Sequence, residues 1–378
     1  MPTSRDFMER EKSAASSAKS RVVAKYFTAW AKIVGGTVRG QLVYGDLFAG
    51  AGYHGEDMSK GTALMVLDSV KANPILHNRI IFLLNEGHRD SAQRLRTAVM
   101  EHYASKLLVS HEVVNASVNP GNYQQFIAQS RSLPTFWFLD PTGWKGLSLE
   151  GLCSFVDAKY SDLMFFFSYE NINRFIASQT SAEGSFLTFF GMDVLERIRL
   201  RLKDAQTSDE RESVIVEEVR AYFYSRDRYS ECMRFSRNLT DSTSHYLIVV
   251  TDHPRGRSAF LDIARKESNW NEFGVARMGF RAQSDNRQLE LFEDSEFEQV
   301  LEKKLGSQFV GMTLQVGAII GHFFDPAISV HGSEIKAALT RMEQARRVRI
   351  QPPAESRPKR NGRLTLADHC IVSFVGGA

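Results

Sequence analysis

The chain has 378 residues, a formal net charge of +3 and 43% hydrophobic residues, an ordinary composition for a globular protein that is long enough for two domains. No apolar run reaches the roughly 18 residues that a membrane span needs, and the N-terminus lacks the apolar core of a secretion signal. The three cysteines, Cys153, Cys232 and Cys370, lie far apart, which argues against a zinc ribbon, an iron–sulfur cluster or a disulfide framework. We therefore expect a cytoplasmic protein without a metal site.

Helical and strand-like segments alternate along the first 280 residues. A polar stretch at 1–18 predicts a flexible terminus, and the apolar spacing from Lys19 to Val34 predicts a helix. Short apolar runs predict buried strands at 41–46, 79–85, 112–118, 134–140, 162–168, 233–239 and 245–252. Helices are predicted at 62–72, 88–105 and 122–130, followed by a charged helical insertion at about 183–229. This alternation indicates an α/β domain at 19–280 with a doubly wound, Rossmann-like sheet.

The segment from Gln41 to Gly55 is the most informative part of the chain. An apolar run ends at Asp46 and glycines follow at Gly50 and Gly52, as where a strand of a parallel sheet leads into a nucleotide-binding loop. A dinucleotide site usually keeps this strand end apolar, because pyrophosphate is already negative. A carboxylate suits a ligand with positive charge, such as S-adenosylmethionine (SAM), which carries a sulfonium and an α-ammonium group. SAM binding, dinucleotide binding and a purely structural turn all remain open.

Two further strand ends carry residues that could complete such a site. Glu86 follows the second strand, where a carboxylate can accept hydrogen bonds from both ribose hydroxyls, although an acid also suits the start of a helix. Asn115, Ala116 and Ser117 follow the third strand, where a contact to the adenine amino group is plausible. The predicted cofactor-binding residues are Asp46, Phe48, Gly50, Gly52, Glu86 and Ser117.

The second informative motif, Asp140-Pro-Thr-Gly-Trp144, follows the fourth predicted strand. Proline directly after a strand-end carboxylate stiffens the turn and removes one backbone donor. Asp140 and Pro141 could therefore orient an acceptor amine in line with a methyl group, and Trp144 could stack on a flipped base. The alternatives are that Asp140 caps the next segment and that Trp144 fills the core. The predicted catalytic residues are Asp140, Pro141 and Trp144.

The remaining residues, 290–378, predict a second, smaller domain. Segments at 296–305, 312–324 and 331–347 are predicted helices, and 348–350 and 365–374 could pair as strands around a basic loop at 351–363. Helix, turn, helix and a two-stranded wing outline a winged-helix-like domain. Nine lysines and arginines face only two acids between Lys336 and Arg363. This charge is either a solvated face or a nucleic-acid contact, for which the candidates are Lys336, Arg346, Arg347, Arg349, Lys359 and Arg360.

Taken in order, the motifs resemble the bacterial three-Cys-motif partner proteins over roughly residues 19–375. The likeness rests on Lys19-Ser-Arg-Val-Val-Ala-Lys-Tyr-Phe-Thr-Ala-Trp30, Tyr44-Gly-Asp-Leu-Phe-Ala-Gly-Ala-Gly52, Glu86, Phe138-Leu-Asp-Pro-Thr-Gly143, Tyr246-Leu-Ile-Val-Val-Thr-Asp-His253 and Glu334-Ile-Lys-Ala-Ala-Leu339. The resemblance implies a class I methyltransferase-like fold, a bacterial defence or mobile-element setting, and a partner protein similar to radical-SAM proteins. The chain departs from the family at Thr142, where phenylalanine is usual, and at Ala116-Ser117, where an acid is common.

We therefore expect a SAM-dependent methyltransferase that acts on nucleic acid, most readily on an amino group. The first alternative is a non-catalytic module that binds a nucleotide or the cysteine-rich partner. A nicotinamide-dependent reductase is a weaker alternative, because Asp46 would face the pyrophosphate.

Overall fold

A computed structural model describes residues 13–55, 58–103, 110–141, 146–178, 183–236, 243–271, 278–281, 294–360 and 363–374. The chain divides into two compact units, Met1–Arg287 and Gln288–Ala378. In the described ranges, no helix combines the length and the apolar character needed to cross a bilayer.

The first unit is built around one large sheet. Its strands, with a short separate hairpin formed by β2 and β3, are β1 (Leu42–Asp46), β2 (Tyr53–His54), β3 (Ser59–Lys60), β4 (Ile80–Asn85), β5 (Ser110–Val114), β6 (Thr135–Leu139), β7 (Asp162–Phe167), β8 (Tyr229–Ser236), β9 (Thr243–Thr251), β10 (Trp270–Asn271) and β11 (Met278–Arg281). The order across the large sheet is β10-β11-β8-β9-β7-β6-β1-β4-β5. The strand runs are apolar along their length because both faces of the sheet are covered.

Strand direction identifies the fold. Strands β5, β4, β1, β6 and β7 are parallel, whereas β9 runs antiparallel between β7 and β8. The dinucleotide-binding order 3-2-1-4-5-6 is therefore modified by an antiparallel strand inserted beside the fifth. This arrangement is that of a Rossmann-like methyltransferase sheet, so the predicted α/β fold class is confirmed.

Helices cover both faces of this sheet. The helices of the first unit are Ala14–Thr37, Thr62–Lys71, Arg89–Tyr103, Tyr123–Gln129, Leu149–Ser154, Tyr169–Ser178, Glu183–Phe190, Met192–Leu202, Ser208–Tyr224 and Pro254–Glu267. One core cluster contains Phe27 and Leu64 from the first two helices, and the other contains Phe126 and the insertion residue Val219. Two separate cores, one on each face, are what a doubly wound sheet requires.

Several predicted boundaries were wrong. The first helix begins at Ala14 rather than Lys19, because the Ser13 side chain accepts a hydrogen bond from the Ser16 N–H (3.1 Å) and caps it; the rest of the predicted flexible terminus, 1–12, lies outside the described residues. Thr62 is the first residue of its helix rather than its cap, a place taken by Gly61. Strand β8 begins at Tyr229, inside the predicted insertion, since alternating polar residues there hid the strand.

Buried ion pairs join the insertion to the sheet. Glu231 on β8 accepts hydrogen bonds from Arg220 of the insertion (2.9 Å) and from Arg257 of helix Pro254–Glu267 (2.7 Å), and all three side chains are almost completely buried. Removing Glu231 would leave two buried cations, so this group fixes the insertion against the sheet.

The described part of the second unit contains the α-helices Asp294–Gln308, Val316–His322 and Gly332–Gln344. Its strands are β12 (Thr313–Gln315), β13 (Val348–Gln351), β14 (Lys359–Arg360), β15 (Arg363–Leu364) and β16 (Ile371–Phe374). Strands β12, β16 and β13 form an antiparallel sheet in that order, and β14 pairs with β15. The sequence predicted a helix at 312–324 and did not reveal β12, because three residues are too few to show the alternation of polar and apolar side chains that identifies a strand. The winged-helix assignment stays a prediction.

Candidate functional site

Asp46 lies at the carboxyl end of β1, at the point where the chain order of the sheet reverses. From β1 the chain adds β4 and β5 on one side, and then β6 and β7 on the other. Ligands of open α/β sheets bind outside the strand ends at such a switch point. In the register of the sheet Asp46 is opposite Phe138 of β6, so Asp140 lies just beyond the neighbouring strand end.

The Asp46 carboxylate is buried, with 1% of the residue exposed. Its Oδ1 accepts the Phe48 N–H (3.1 Å) and its Oδ2 accepts the Tyr44 hydroxyl (3.0 Å), so both of these partners are uncharged. The pKa of Asp46 is raised to about 7, chiefly by burial. The two hydrogen bonds lower this pKa, and the negative charges of Asp140 and Glu86 contribute to its rise. A buried carboxyl group whose hydrogen-bond donors are uncharged favours a ligand that carries positive charge.

The two glycines of the loop after β1 adopt a backbone conformation that side chains disfavour. Gly50 and Gly52 have positive φ angles of 69° and 88°, which glycine adopts most readily. A Cβ added to Gly50 would meet nothing within 4 Å, whereas one added to Gly52 would lie 3.0 Å from the Ala98 Cβ. Gly50 therefore borders open space, and Gly52 allows the loop to pack on helix Arg89–Tyr103.

Glu86 connects the two neighbouring loops. Its Oε2 accepts the Gly50 N–H (3.0 Å) and its Oε1 accepts the His88 N–H (2.8 Å). The carboxylate therefore lies beside the glycine loop, as predicted, and also supports the start of its own helix, which was the alternative interpretation. A carboxylate has about four lone-pair sites, so these two contacts leave capacity for further donors.

Asn85 is a site residue that the sequence reasoning missed. Its Nδ2 donates to the carbonyls of Leu47 and Ala116 (3.0 Å each), and its Oδ1 accepts the Ala116 N–H (3.0 Å). One buried amide thus holds the loops after β1 and β5 to the end of β4. The signal was present, because a polar residue ending the apolar run Ile-Ile-Phe-Leu-Leu is unusual in a buried strand. Ser117 is exposed just beyond this clamp, and its carbonyl accepts the Asn122 Nδ2 (2.7 Å).

Asp140 forms an ion pair that the sequence did not reveal. Lys19, in helix Ala14–Thr37, donates from Nζ to Asp140 Oδ2, with the lysine side chain 10% exposed and the aspartate side chain 22% exposed. The Lys19 Nζ also lies 4.7 Å from the centroid of the Phe166 ring. Pro141 is buried at the same turn, while Trp144 and Thr142 lie outside the described residues. The structure thus brings Asp46, Glu86, Gly50 and Asp140 to one edge of the sheet.

In the second unit, much of the predicted basic surface is paired with acids. Lys336 pairs with Asp368 (2.7 Å), Arg347 with Glu302, and Arg357 with Glu343. Arg341 contacts both Glu298 (2.8 Å) and Glu302 (2.7 Å). Three of these carboxylates, those of Glu298, Glu302 and Asp368, lie outside the basic window read from the sequence.

Three other predicted basic residues show no such partner in the described part of the chain. Arg346 and Arg349 are exposed, and Lys359 is exposed on the short hairpin β14–β15. Arg360 lies beside Lys359 in the same hairpin. Among the described residues, no ion pair involves Arg346, Arg349 or Lys359. The available positive charge therefore lies at β13 and the hairpin rather than along helix Gly332–Gln344.

Comparison with known proteins gives structural likeness only. No protein-family model matches the chain, and no curated protein is similar to it in sequence. Membership of the three-Cys-motif partner family therefore stays a prediction.

Solved structures that are similar to this chain include the following three. Protein LPL1258 from Legionella pneumophila, of family DUF519, has 9% identity and a TM-score of 0.38, covering 64% of this chain and 86% of its own. Precorrin-6y C5,15-methyltransferase from Geobacter metallireducens has 9% identity and a TM-score of 0.31, covering 65% and 94%. Trm1 from Pyrococcus horikoshii, solved with S-adenosyl-L-methionine, has 12% identity and a TM-score of 0.32, covering 62% and 54%. These scores are too low to support a statement about activity.

Proposed function

We propose that the protein is a SAM-dependent methyltransferase that acts on an amino group of nucleic acid. The observation that carries this proposal is the buried Asp46 carboxylate beside a left-handed glycine loop at the switch point of the sheet. Its hydrogen-bond donors are uncharged, so the carboxylate can pair with a cationic ligand. This property favours SAM over a dinucleotide, whose pyrophosphate would be repelled.

The residues present fit SAM. The Asp46 carboxylate and the loop of Gly50 would hold the methionine end, with Phe48 half-buried beside them. Glu86 would accept the ribose hydroxyls with its remaining lone pairs, and the exposed segment around Ser117 would contact the adenine. Bound SAM supplies an electrophilic methyl group: the acceptor nitrogen forms a bond to it, the C–S bond breaks, its electrons go to sulfur, and the nitrogen loses a proton.

Asp140 and Pro141 would hold the acceptor. A carboxylate at a rigid strand-end turn can accept a hydrogen bond from an N–H group and thereby aim the nitrogen lone pair. Such positioning matters more than proton removal here, because the nitrogen loses its proton easily once it is methylated.

Titration with SAM tests the proposal. Wild-type protein is expected to bind SAM saturably by isothermal calorimetry, and Asp46→Asn to lose at least about 30-fold in affinity, as expected for removing a charge-assisted contact from a buried site. Asp204→Asn, which removes an exposed acid, is the matched control. Absence of saturable binding by the wild type would end the proposal.

The second unit would hold the nucleic acid. Its element order, helix, strand, two helices, then two strands enclosing a hairpin, supports a winged-helix-like domain. Because Lys336, Arg341 and Arg347 are paired with acids, we place the phosphate contacts at the remaining candidates, Arg346, Arg349, Lys359 and Arg360. Lys336 and Arg347 are then secondary contacts, since a phosphate would have to displace a carboxylate from each.

A non-catalytic binding module is the second candidate. The ion pair between Lys19 and Asp140 favours it, because the predicted acceptor residue is already occupied in the free protein. The family resemblance would make the three-Cys-motif protein its partner, in a bacterial defence or mobile-element system. SAM binding without methyl transfer to DNA or RNA, together with a stable complex with that partner, would select this candidate.

A further inference from the structure

The contact between Lys19 and Asp140 has no role in the site as described so far. Lys19 lies in the second turn of helix Ala14–Thr37, and Asp140 follows β6, 121 positions further along the chain. Lys19 is 8% exposed, which is low for a lysine. Burying an ammonium group costs free energy unless the group is paired. The buried position of Lys19 therefore depends on the partners that its ammonium group has there.

Three contacts fix that position. The ammonium donates to Asp140 Oδ2 and lies over the face of Phe166, 4.7 Å from the ring centroid. The next residue, Ser20, hydrogen-bonds through its hydroxyl to the Thr62 hydroxyl (2.9 Å). Thr62 begins the helix that follows the glycine loop, so this helix start, Lys19 and Asp140 form one connected group.

The contact leaves half of the Asp140 carboxylate available. Oδ2 is taken by Lys19, whereas in the part of the chain that the structure describes no hydrogen bond reaches Oδ1. The charged and titratable groups that interact with Asp140 there are Lys19 from the first helix and Asp46 and Tyr44 from β1. Two of these three neighbours are acidic groups, so Lys19 supplies the positive charge.

We propose that Lys19 is a positioning residue for methyl transfer, which holds Asp140 Oδ2 so that Oδ1 is presented to the N–H of the acceptor. The proposal rests on the proposed function. The ion pair of Asp140 with Lys19 is then compatible with an acceptor site, because one carboxylate can accept hydrogen bonds from a lysine and from an acceptor N–H at the same time.

Lys19→Met tests this role, since it keeps the length of the side chain over Phe166 and removes the charge. Methyl transfer to duplex DNA and to duplex RNA is measured for wild type and for Lys19→Met. The kcat of Lys19→Met is expected to be at least about 10-fold lower than that of wild type, while its Kd for SAM changes less than about 3-fold. Lys19→Arg keeps a cation that can donate to Asp140 Oδ2, so it is expected to restore most of the lost kcat, which a merely structural role of the side-chain length would not explain.

Two further measurements separate the possible failures. Lys25→Met, which removes an exposed lysine of the same helix that pairs with Glu267, is the control for helix stability. Asp140→Asn, which keeps the shape of the side chain and removes its charge, is expected to lower kcat by itself, and adding Lys19→Met is expected to lower it no further, because the two residues act through one contact.

A wild-type rate in Lys19→Met would overturn the positioning role, as would weakened SAM binding with an unchanged kcat. Additive losses of kcat from Lys19→Met and Asp140→Asn would also overturn it. A wild type that binds no SAM and methylates no nucleic acid would instead end the proposed function, and the positioning role with it.

Discussion

The two units of the protein differ in how far their charged side chains are paired with opposite charges. At the carboxyl edge of the large sheet, Asp46 is buried with uncharged hydrogen-bond donors, and a single lysine meets Asp140. In the C-terminal unit, cations such as Arg341 and Arg357 are held by carboxylates of the same unit. A charged group without a counter-ion, such as Asp46, is a candidate for binding a ligand. The paired arginines of the C-terminal unit mainly stabilise the fold. Experiments on both units can test this difference.

The largest effect concerns stability. The pKa of Asp46 is about 7 in the folded protein, above the ordinary value of 3.8, so folding favours the protonated form. Stability that is present below pH 3.8 is therefore lost as the pH rises through 7. Asp46→Asn is expected to be more stable than wild type, and the gain should grow between pH 5 and pH 8 by on the order of 2 kcal/mol.

Differential scanning fluorimetry at the two pH values measures this gain as a rise in melting temperature of about 2–4 °C per kcal/mol. Asp162 also has a pKa raised to about 7 by burial, but it is present in both proteins, so its effect cancels. Asp204→Asn should show no pH-dependent gain. If Asp204→Asn showed the same pH-dependent gain in stability as Asp46→Asn, ionised Asp46 would not destabilise the folded protein more than an exposed acid does.

The next effect is on ligand affinity. If the ammonium of SAM pairs with ionised Asp46, binding must release a proton wherever the free protein holds that group protonated. The affinity is then expected to rise about 10-fold from pH 5.5 to pH 7. Calorimetry in buffers of different ionisation enthalpy would measure the released proton. A flat affinity over this range would place the ligand away from Asp46.

The smallest effect is at the C-terminal unit. Arg349→Gln combined with Lys359→Gln is expected to weaken binding of a fluorescent duplex by about 5-fold and to reduce the dependence of log K on log salt by about two charges. Lys336→Gln combined with Arg347→Gln changes the net charge equally and is expected to cost less than about 2-fold. DNA and RNA duplexes are compared side by side. Equal losses from the two pairs would show that ion pairing does not decide which cations bind.

The sequence was sufficient for features that lie close together in the chain. The apolar run ending at Asp46 and the glycines that follow it predicted β1, its loop and the edge of the sheet, because strand burial and turn geometry are local properties. The alternation of strands and helices predicted the Rossmann-like fold for the same reason.

Features that join distant segments could not be predicted in this way. Nothing near Lys19 indicates that Asp140, 121 positions away, would receive its ammonium group. The basic window between Lys336 and Arg363 was overestimated because Glu298, Glu302 and Asp368 lie outside it. Local charge counts omit partners that only tertiary structure supplies.

The clamp formed by Asn85 has one further consequence. An amide does not titrate, so Asn85 holds the loops after β1 and β5 to the end of β4 whether Asp46 is protonated or ionised. Protonation of Asp46 as the pH falls below about 7 therefore removes a negative charge from the sheet edge without breaking these contacts. A ligand that needs this charge would be released in mild acid and bound again on neutralisation, with no refolding step.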